Sequence, residues 1–152
     1  MGGYPRSCEE VKQDLQERHQ PFVENGWTPL NLDNDALLHR LIRQDDIDSN
    51  TSRPKSSAFT NHGLSVYVES PNYPAFDIRQ QVASNEIFVG AVVLKASLVK
   101  ELEFEICHDP HPDPQGNPQH LNHAQIVCKK TQSKAKAMRD NCEWSVCPDC
   151  LP

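Results

Sequence analysis

The stretch EIFVGAVVLKASLV, Glu86–Val99, is the most apolar run in the chain. Its first part, Ile87–Leu94, is rich in valine and is bounded by polar residues, a pattern typical of a buried β-strand. We therefore expect this segment to form the central strand of a sheet. Upstream, LSVYVES (Leu64–Ser70) alternates apolar and polar residues, which predicts a second strand with one face toward the core.

Shorter segments on either side of these strands predict the other elements. DALLHRLIR (Asp35–Arg43) fits either one face of a helix or a buried strand, and the polar segment Gln44–Ser57 is expected to be an exposed loop. Further strands are predicted at Leu102–Cys107, Ala124–Cys128 and Cys142–Cys147, and helices at Cys8–Gln20, after Pro74 and at Thr131–Asn141. Short strands interleaved with two or three short helices indicate an α+β fold with a mainly antiparallel sheet.

The length of 152 residues indicates a single domain, 1–152, with a peripheral N-terminal helix and loop over 1–34 and a cysteine-containing tail over 142–152. A net charge of −6 argues against nucleic acid as the main partner, because phosphate binding depends largely on clustered Lys and Arg. The chain shows neither a signal peptide nor a run approaching the roughly 20 apolar residues of a membrane span. We therefore expect a cytoplasmic protein with no membrane partner.

The six cysteines are then expected to be reduced thiols or metal ligands, and a secreted, disulfide-bonded protein is the alternative. The tail CEWSVCPDC places Cys147 and Cys150 in a C-x2-C turn, which is half of a structural zinc site. Cys128, Cys142 or a histidine would have to complete this site. The competing interpretation is a frayed C-terminus that carries spare thiols.

The polar segment CHDPHPDPQGNPQHLNHAQIVC, Cys107–Cys128, lies between two predicted strands and contains four of the seven histidines. Imidazoles near an aspartate can bind a divalent metal such as zinc, and a proline-stiffened loop can supply them. The alternative is an ordinary solvated loop. The candidate metal ligands are His108, His111, His120, His123 and Asp109.

A second interpretation of this loop needs no metal. His108 and His123 stand where the strands end and restart, so they could face each other as a catalytic acid/base pair. Lys129 and Lys130 would stabilise an anionic transition state. This set resembles the one that small metal-independent ribonucleases use.

The segment RPKSSAF, Arg53–Phe59, predicts a ligand-binding turn. Arg53 beside the hydroxyls of Ser56 and Ser57 would hold a phosphate or carboxylate. With His39-Arg40 upstream and Tyr67 on the following strand, the order also resembles that of ADP-ribosyltransferase-like folds. That resemblance implies NAD binding and a glutamate that activates the ribose, for which the candidates are Glu101, Glu103 and Glu105.

The combination of RPKSSAF, HDP and a later NP…HA resembles a group of small uncharacterised bacterial proteins. In these proteins an Arg-Pro-Ser-Ser-Ala-Phe-type turn precedes a His-Asp-Pro and an Asn-Pro-Ala-His-Ala element. This chain departs from them by Gln119–Asn122, inserted between Asn-Pro and His-Ala, so the resemblance does not extend to His111 and His120. The matching positions are Arg53, Ser56, Ser57, Ala58, Phe59, His108, Asp109, Pro110, Asn117, Pro118, His123 and Ala124.

The resemblance carries no activity, but it implies one site built from the RPKSSAF turn, His108 and His123. We therefore expect a small hydrolase or nuclease-like enzyme that acts on a phosphate-containing substrate, such as a nucleotide or RNA fragment. The alternative is a non-catalytic interaction or ligand-binding module of a bacterial multi-protein system, with a partner protein encoded nearby.

Overall fold

The structure, a computed structural model, describes residues 28–61, 63–71, 73, 77–84, 86–108, 122–127 and 130–148. The helix predicted at Cys8–Gln20 and most of the histidine loop lie outside these ranges. Within them, the strands are β1 (Thr28–Pro29), β2 (Leu37–Arg43), β3 (Ile47–Asp48), β4 (Arg53–Pro54), β5 (Gly63–Glu69), β6 (Phe88–Lys95), β7 (Glu105–His108), β8 (His123–Val127) and β9 (Glu143–Val146). The helices are α1 (Ile78–Ala83), α2 (Ala96–Glu101) and α3 (Gln132–Asn141).

Seven of the described strands form one antiparallel sheet in the order β1-β7-β8-β5-β2-β6-β9, and β3 and β4 form a separate two-stranded ribbon. The prediction of an α+β fold with a mainly antiparallel sheet is confirmed. Among the described helices, none is long and apolar enough to cross a bilayer.

The core lies on one face of the sheet, as the alternation in β5 predicts. Leu64, Val66 and Val68 are fully buried there. The same cluster takes in residues of α2, of α3 and of the 3₁₀ turn Ser56–Phe59, so these three elements cover this face. Thr131 caps α3 as predicted, since its hydroxyl accepts a hydrogen bond from the amide of Lys134 at 3.3 Å.

The ambiguous segment Asp35–Arg43 contains a strand, because β2 pairs with β5 on one side and with β6 on the other. Leu38 and Ile42 enter the core, whereas His39 points to the opposite face. The strand β6 is not central as predicted: β9 lies outside it, and β5 occupies the middle of the sheet. Its continuous apolar sequence instead reflects burial on both faces, shown by Ala91 and Val92.

Three polar or terminal segments contribute more structure than the sequence indicates. The loop predicted over Gln44–Ser57 contains the β3–β4 ribbon, in which the paired residues Ile47 and Pro54 are both buried. The described end of the peripheral segment 1–34 supplies β1 and the buried Leu32. The predicted tail begins with the buried Cys142 and the sheet strand β9.

One cysteine contradicts the expectation of reduced thiols. Cys107 is disulfide-bonded, and its partner sulfur lies outside the described residues. Cys142 and Cys147 are free thiols, buried and exposed respectively. Because pairing depends on proximity in the fold, the spacing of cysteines along a chain does not fix which of them are joined.

Candidate functional site

A cavity of about 430 Å³ opens where β2 and β5 separate. These strands pair only from Leu37 to His39, while β5 continues to pair with β8 as far as Gly63. A gap between the two strand backbones results, and the 3₁₀ turn Ser56–Phe59 borders it. The polar residues that line the cavity include Arg40, Ser57, Asn61, Ser65, Tyr67 and His123.

The side chain of Arg40 occupies this gap. Its Nε donates to the carbonyl oxygen of Ala58 at 2.7 Å, and its Nη1 donates to that of Ser65 at 3.0 Å. The guanidinium thus replaces main-chain hydrogen bonds that the separated strands no longer make. A guanidinium has five N–H donors. No other hydrogen bond of Arg40 is formed with the described residues, which leaves donors for a ligand in the cavity.

The cavity carries a positive charge at neutral pH. Burial lowers the pKa of Arg40 to about 10, an effect that Asp46 opposes and Arg43 reinforces. Because this value stays well above 7, the guanidinium remains protonated. Arg43 also lines the cavity, with its guanidinium 5.9 Å from the ring centre of Phe88. Asp46 is the one carboxylate among the described lining residues, so two guanidinium groups face a single negative charge.

His123 and Tyr67 form the wall of the cavity on the β5–β8 side. They are directly paired across these strands, and their rings meet edge to face with centroids 5.4 Å apart. The side chain of His123 is buried. Burial also raises the pKa of Tyr67, so the phenol keeps its proton at neutral pH. The wall therefore offers a phenolic hydroxyl next to an imidazole.

The RPKSSAF segment is divided between two places. Ser57 lines the cavity, and Phe59, the last residue of the same turn, is fully buried. Ser56 lies instead in a separate depression beside Arg53 and Asp140. Of the residues predicted for the phosphate site, the cavity thus brings together Ser57 and His123, and Arg40 and Tyr67 from the ADP-ribosyltransferase-like order line it too.

Arg53 binds the end of a helix. Its Nη2 donates to the carbonyl oxygens of Arg139 and Cys142, at 2.7 and 2.8 Å, at the C-terminus of α3. The last carbonyls of a helix have no partner within it, and a cation there also interacts favourably with the helix dipole. Arg53 therefore serves the packing of α3 against the β3–β4 ribbon.

Replacing Arg53 by methionine should lower the free energy of unfolding by about 2–3 kcal/mol, because two charge-assisted hydrogen bonds are lost. Phosphate binding should not change. Chemical denaturation and calorimetric titration with inorganic phosphate measure the two quantities, and Lys55→Met is the matched control on the same segment. If the Arg53→Met variant kept normal stability but no longer bound phosphate, Arg53 would be a ligand-binding residue and not a structural one.

His108 and His123 lie on opposite faces of the sheet. His108 is paired with Ala124, the residue that follows His123. Successive side chains of a strand point to opposite faces. Consistently, the ring of His108 lies 5.9 Å from that of Tyr73, away from the Tyr67–His123 wall. The two imidazoles therefore form neither an acid/base pair nor a joint metal site.

The other predicted site residues are placed as follows. Lys130 is buried, and its Nζ donates to the carbonyl oxygen of Ile126 at 2.5 Å. Among the described residues, no group of three His, Cys, Asp or Glu side chains is arranged to hold a metal. Cys147 is exposed. The predicted ligands Asp109, His111, His120 and Cys150, together with Lys129, lie outside the described ranges.

The ADP-ribosyltransferase-like order is realised only in part. His39 and Tyr67 are directly paired on β2 and β5. The ring nitrogens of His39, however, are hydrogen-bonded to Ser145 and Glu69. The three candidate glutamates, Glu101, Glu103 and Glu105, are absent from the described lining of the cavity.

Arg40 is the residue that the sequence prediction undervalues. It is a charged residue in the apolar strand LLHRLIR, and a cation at such a position is rarely buried unless it is paired or functional. That signal distinguishes Arg40 from Arg53, which stands in a polar segment.

Comparison with protein-family models, with curated proteins and with solved structures found no match for this chain. The function is therefore inferred from the chemistry of the cavity.

Proposed function

We propose that the protein is a small hydrolase or nuclease-like enzyme that binds a phosphate-containing substrate in the cavity between β2 and β5. The observation that carries this proposal is the position of Arg40. Its guanidinium lies half-buried in the gap between the strands, is held by two carbonyl oxygens and retains N–H donors for a ligand. Arg is well suited to phosphate oxygens, because its planar donors match their geometry.

The neighbouring side chains supply the rest of the chemistry. Tyr67 and Ser57 present hydroxyl groups that can donate to phosphate oxygens. His123 would accept a proton from the attacking water or hydroxyl and return one to the leaving oxygen. A single imidazole then carries both proton transfers, instead of the His108–His123 pair expected from the sequence.

The size of the cavity supports a small ligand. About 430 Å³ lies within the usual range of roughly 300–1,000 Å³ for small-molecule sites. A nucleotide or the end of an RNA fragment would present one phosphate to Arg40. The net charge of −6 disfavours a long nucleic acid, whose binding needs many basic contacts.

The alternative is a non-catalytic ligand-binding or interaction module of a bacterial multi-protein system, with a partner encoded nearby. The observation that favours it is the placement of His108 and His123 on opposite faces of the sheet. Among the described lining residues, the cavity therefore has a single imidazole, that of His123. Such a module would bind phosphate without turning over its esters.

Three further parts of the proposal have their own tests. Zinc in the histidine loop or the C-terminal tail is tested by elemental analysis of the protein and of its His108→Ala and Cys147→Ser variants. Membership of the bacterial group with the RPSSAF-type turn is tested by sequence alignment. A cytoplasmic location is tested by cell fractionation, and the disulfide at Cys107 counts against it, because such bonds persist mainly in oxidising compartments.

Changing His123 to glutamine should lower kcat for bis(p-nitrophenyl) phosphate at least about 100-fold, because general acid/base catalysis contributes factors of this order. Stabilisation by inorganic phosphate should persist, since Arg40 is intact. His108→Gln is the matched control and should keep kcat within about threefold. Equal rates for both variants would refute the catalytic role of His123. Phosphate binding without turnover in the unmodified protein would establish the binding module instead.

A further inference from the structure

Three side chains outside the cavity form a hydrogen-bonded chain on the face of the sheet opposite α2 and α3. We propose that Ser145 is an activated nucleophile of a second site, which reacts with small esters or other activated acyl or phosphoryl groups. His39 acts as its general base and Glu69 as the positioning residue of His39. None of the three belongs to the described lining of the cavity, so this inference is independent of the proposed function.

The geometry is that of a nucleophile, a base and a carboxylate in series. The Nδ1 atom of His39 lies 3.1 Å from the Oγ of Ser145, and its Nε2 lies 3.1 Å from the Oε1 of Glu69. Both distances are within hydrogen-bond reach, which this arrangement requires. The three residues stand on β9, β2 and β5, so the sheet itself fixes their spacing.

A β-bulge lies at the serine on β9. Trp144 is paired with Val92 and Val146 with Ala91, which leaves Ser145 as an extra residue on β9. A bulge of this kind re-aims side chains and is frequent next to active sites. Ser145 follows Trp144, which packs against the core, so alternation along the strand places Ser145 on the same face of the sheet as His39. Ser145 is only half-buried, so a reagent can reach its hydroxyl.

The hydrogen bonds also fix the tautomer that a general base needs. The side chain of Glu69 is 54% exposed, and a carboxylate accepts hydrogen bonds only. The proton of neutral His39 therefore sits on Nε2, and the lone pair of Nδ1 faces the hydroxyl of Ser145. Burial lowers the pKa of His39, although the hydrogen bond and charge of Glu69 act in the opposite direction. The lowered pKa favours the neutral form of the ring.

The reaction then follows from these positions. Ser145 Oγ attacks the electrophilic carbon or phosphorus, and its proton passes to Nδ1 of His39. The bond to the leaving group breaks, and the proton is given to that group. For an ester, water next attacks the acyl-serine with His39 again as the base, releasing the acid and restoring the serine. With a fluorophosphate diester, an Oγ–P bond forms, the P–F bond breaks, fluoride leaves with the proton taken up by His39, and the adduct persists.

The test uses the full-length protein and diisopropyl fluorophosphate, with the modified peptide identified by mass spectrometry. We expect one adduct, on Ser145, and none at this position in Ser145→Ala. Glu69→Gln should slow labelling at least tenfold without changing the melting temperature. Labelling slows because the glutamine amide can donate to Nε2, which allows the ring proton of His39 to move to Nδ1. The 15N shifts of the His39 ring should report the same change of tautomer.

Ser84→Ala is the matched control, since the hydroxyl of Ser84 bonds a backbone carbonyl and has no described imidazole partner. Its loss should leave the labelling unchanged. Labelling of Ser145 no faster than that of Ser84 would overturn the proposal, as would an undiminished rate in a folded Glu69→Gln variant. An adduct on Ser57 alone would do so too, while supporting a reactive cavity.

Discussion

Replacing Arg40 by methionine should weaken the binding of inorganic phosphate by about 100-fold, a loss of about 2.7 kcal/mol. The guanidinium is the less exposed of the two in the cavity, and hydrogen bonds to charged groups contribute about 1.5–3 kcal/mol each. Methionine keeps the unbranched shape but removes every donor. Isothermal titration calorimetry on the folded variant measures the change in affinity.

Two further variants separate binding from stability. Arg40→Met also leaves the carbonyl oxygens of Ala58 and Ser65 without their donor, so its melting temperature must be recorded. Arg40→Lys keeps the charge but cannot reproduce the fork of donors, and should lose part of the affinity. Arg79→Met, an exposed arginine on α1 that lies outside the described lining of the cavity, is the control and should change affinity less than about fivefold. Equal losses at both arginines would contradict a specific role for Arg40.

Replacing Phe59 by alanine should lower the free energy of unfolding by about 3–5 kcal/mol, the usual cost of removing a buried aromatic ring. Phe59 is the largest fully buried side chain among the described residues. It ends the 3₁₀ turn that packs against α3. The same turn carries Ser57 and the carbonyl of Ala58, so phosphate affinity should fall as well. Urea denaturation measures the first effect and calorimetry the second.

The matched control for Phe59 is Ile87→Ala. Ile87 is a large apolar residue that is 51% exposed, so its truncation should change stability by less than about 0.5 kcal/mol. A Phe59→Ala variant that is destabilised but binds phosphate normally would mean that the turn is not needed to shape the cavity.

The elements that local sequence patterns specify were predictable. The strict alternation in β5 and the Thr131 cap of α3 act over a few residues, and each appears in the structure where the sequence places it. Strand β2 was ambiguous for the opposite reason. Its apolar residues fit two periodicities, and only pairing with strands on both of its edges decides between them.

The site was less predictable because it depends on register. A shift of one residue between β7 and β8 would bring His108 and His123 to the same face, and the sequence between them does not fix that register. Likewise, the contrast between Arg40 and Arg53 depends on which carbonyl oxygens each guanidinium meets. Those contacts join residues up to 89 positions apart in the chain, as between Arg53 and Cys142.

The gap beside Arg40 also has a mechanical meaning. Three residue pairs, from Leu37–Glu69 to His39–Tyr67, join β2 directly to β5 at one end. Beyond these pairs, the described link across the open part of the seam is the side chain of Arg40. The sheet therefore behaves as two ribbons, β9-β6-β2 and β5-β8-β7-β1, that are fastened at one end. A ligand bound between Arg40 and His123 would bridge the two ribbons at their open end. Ligand binding would then restrict how far the ribbons can twist relative to each other.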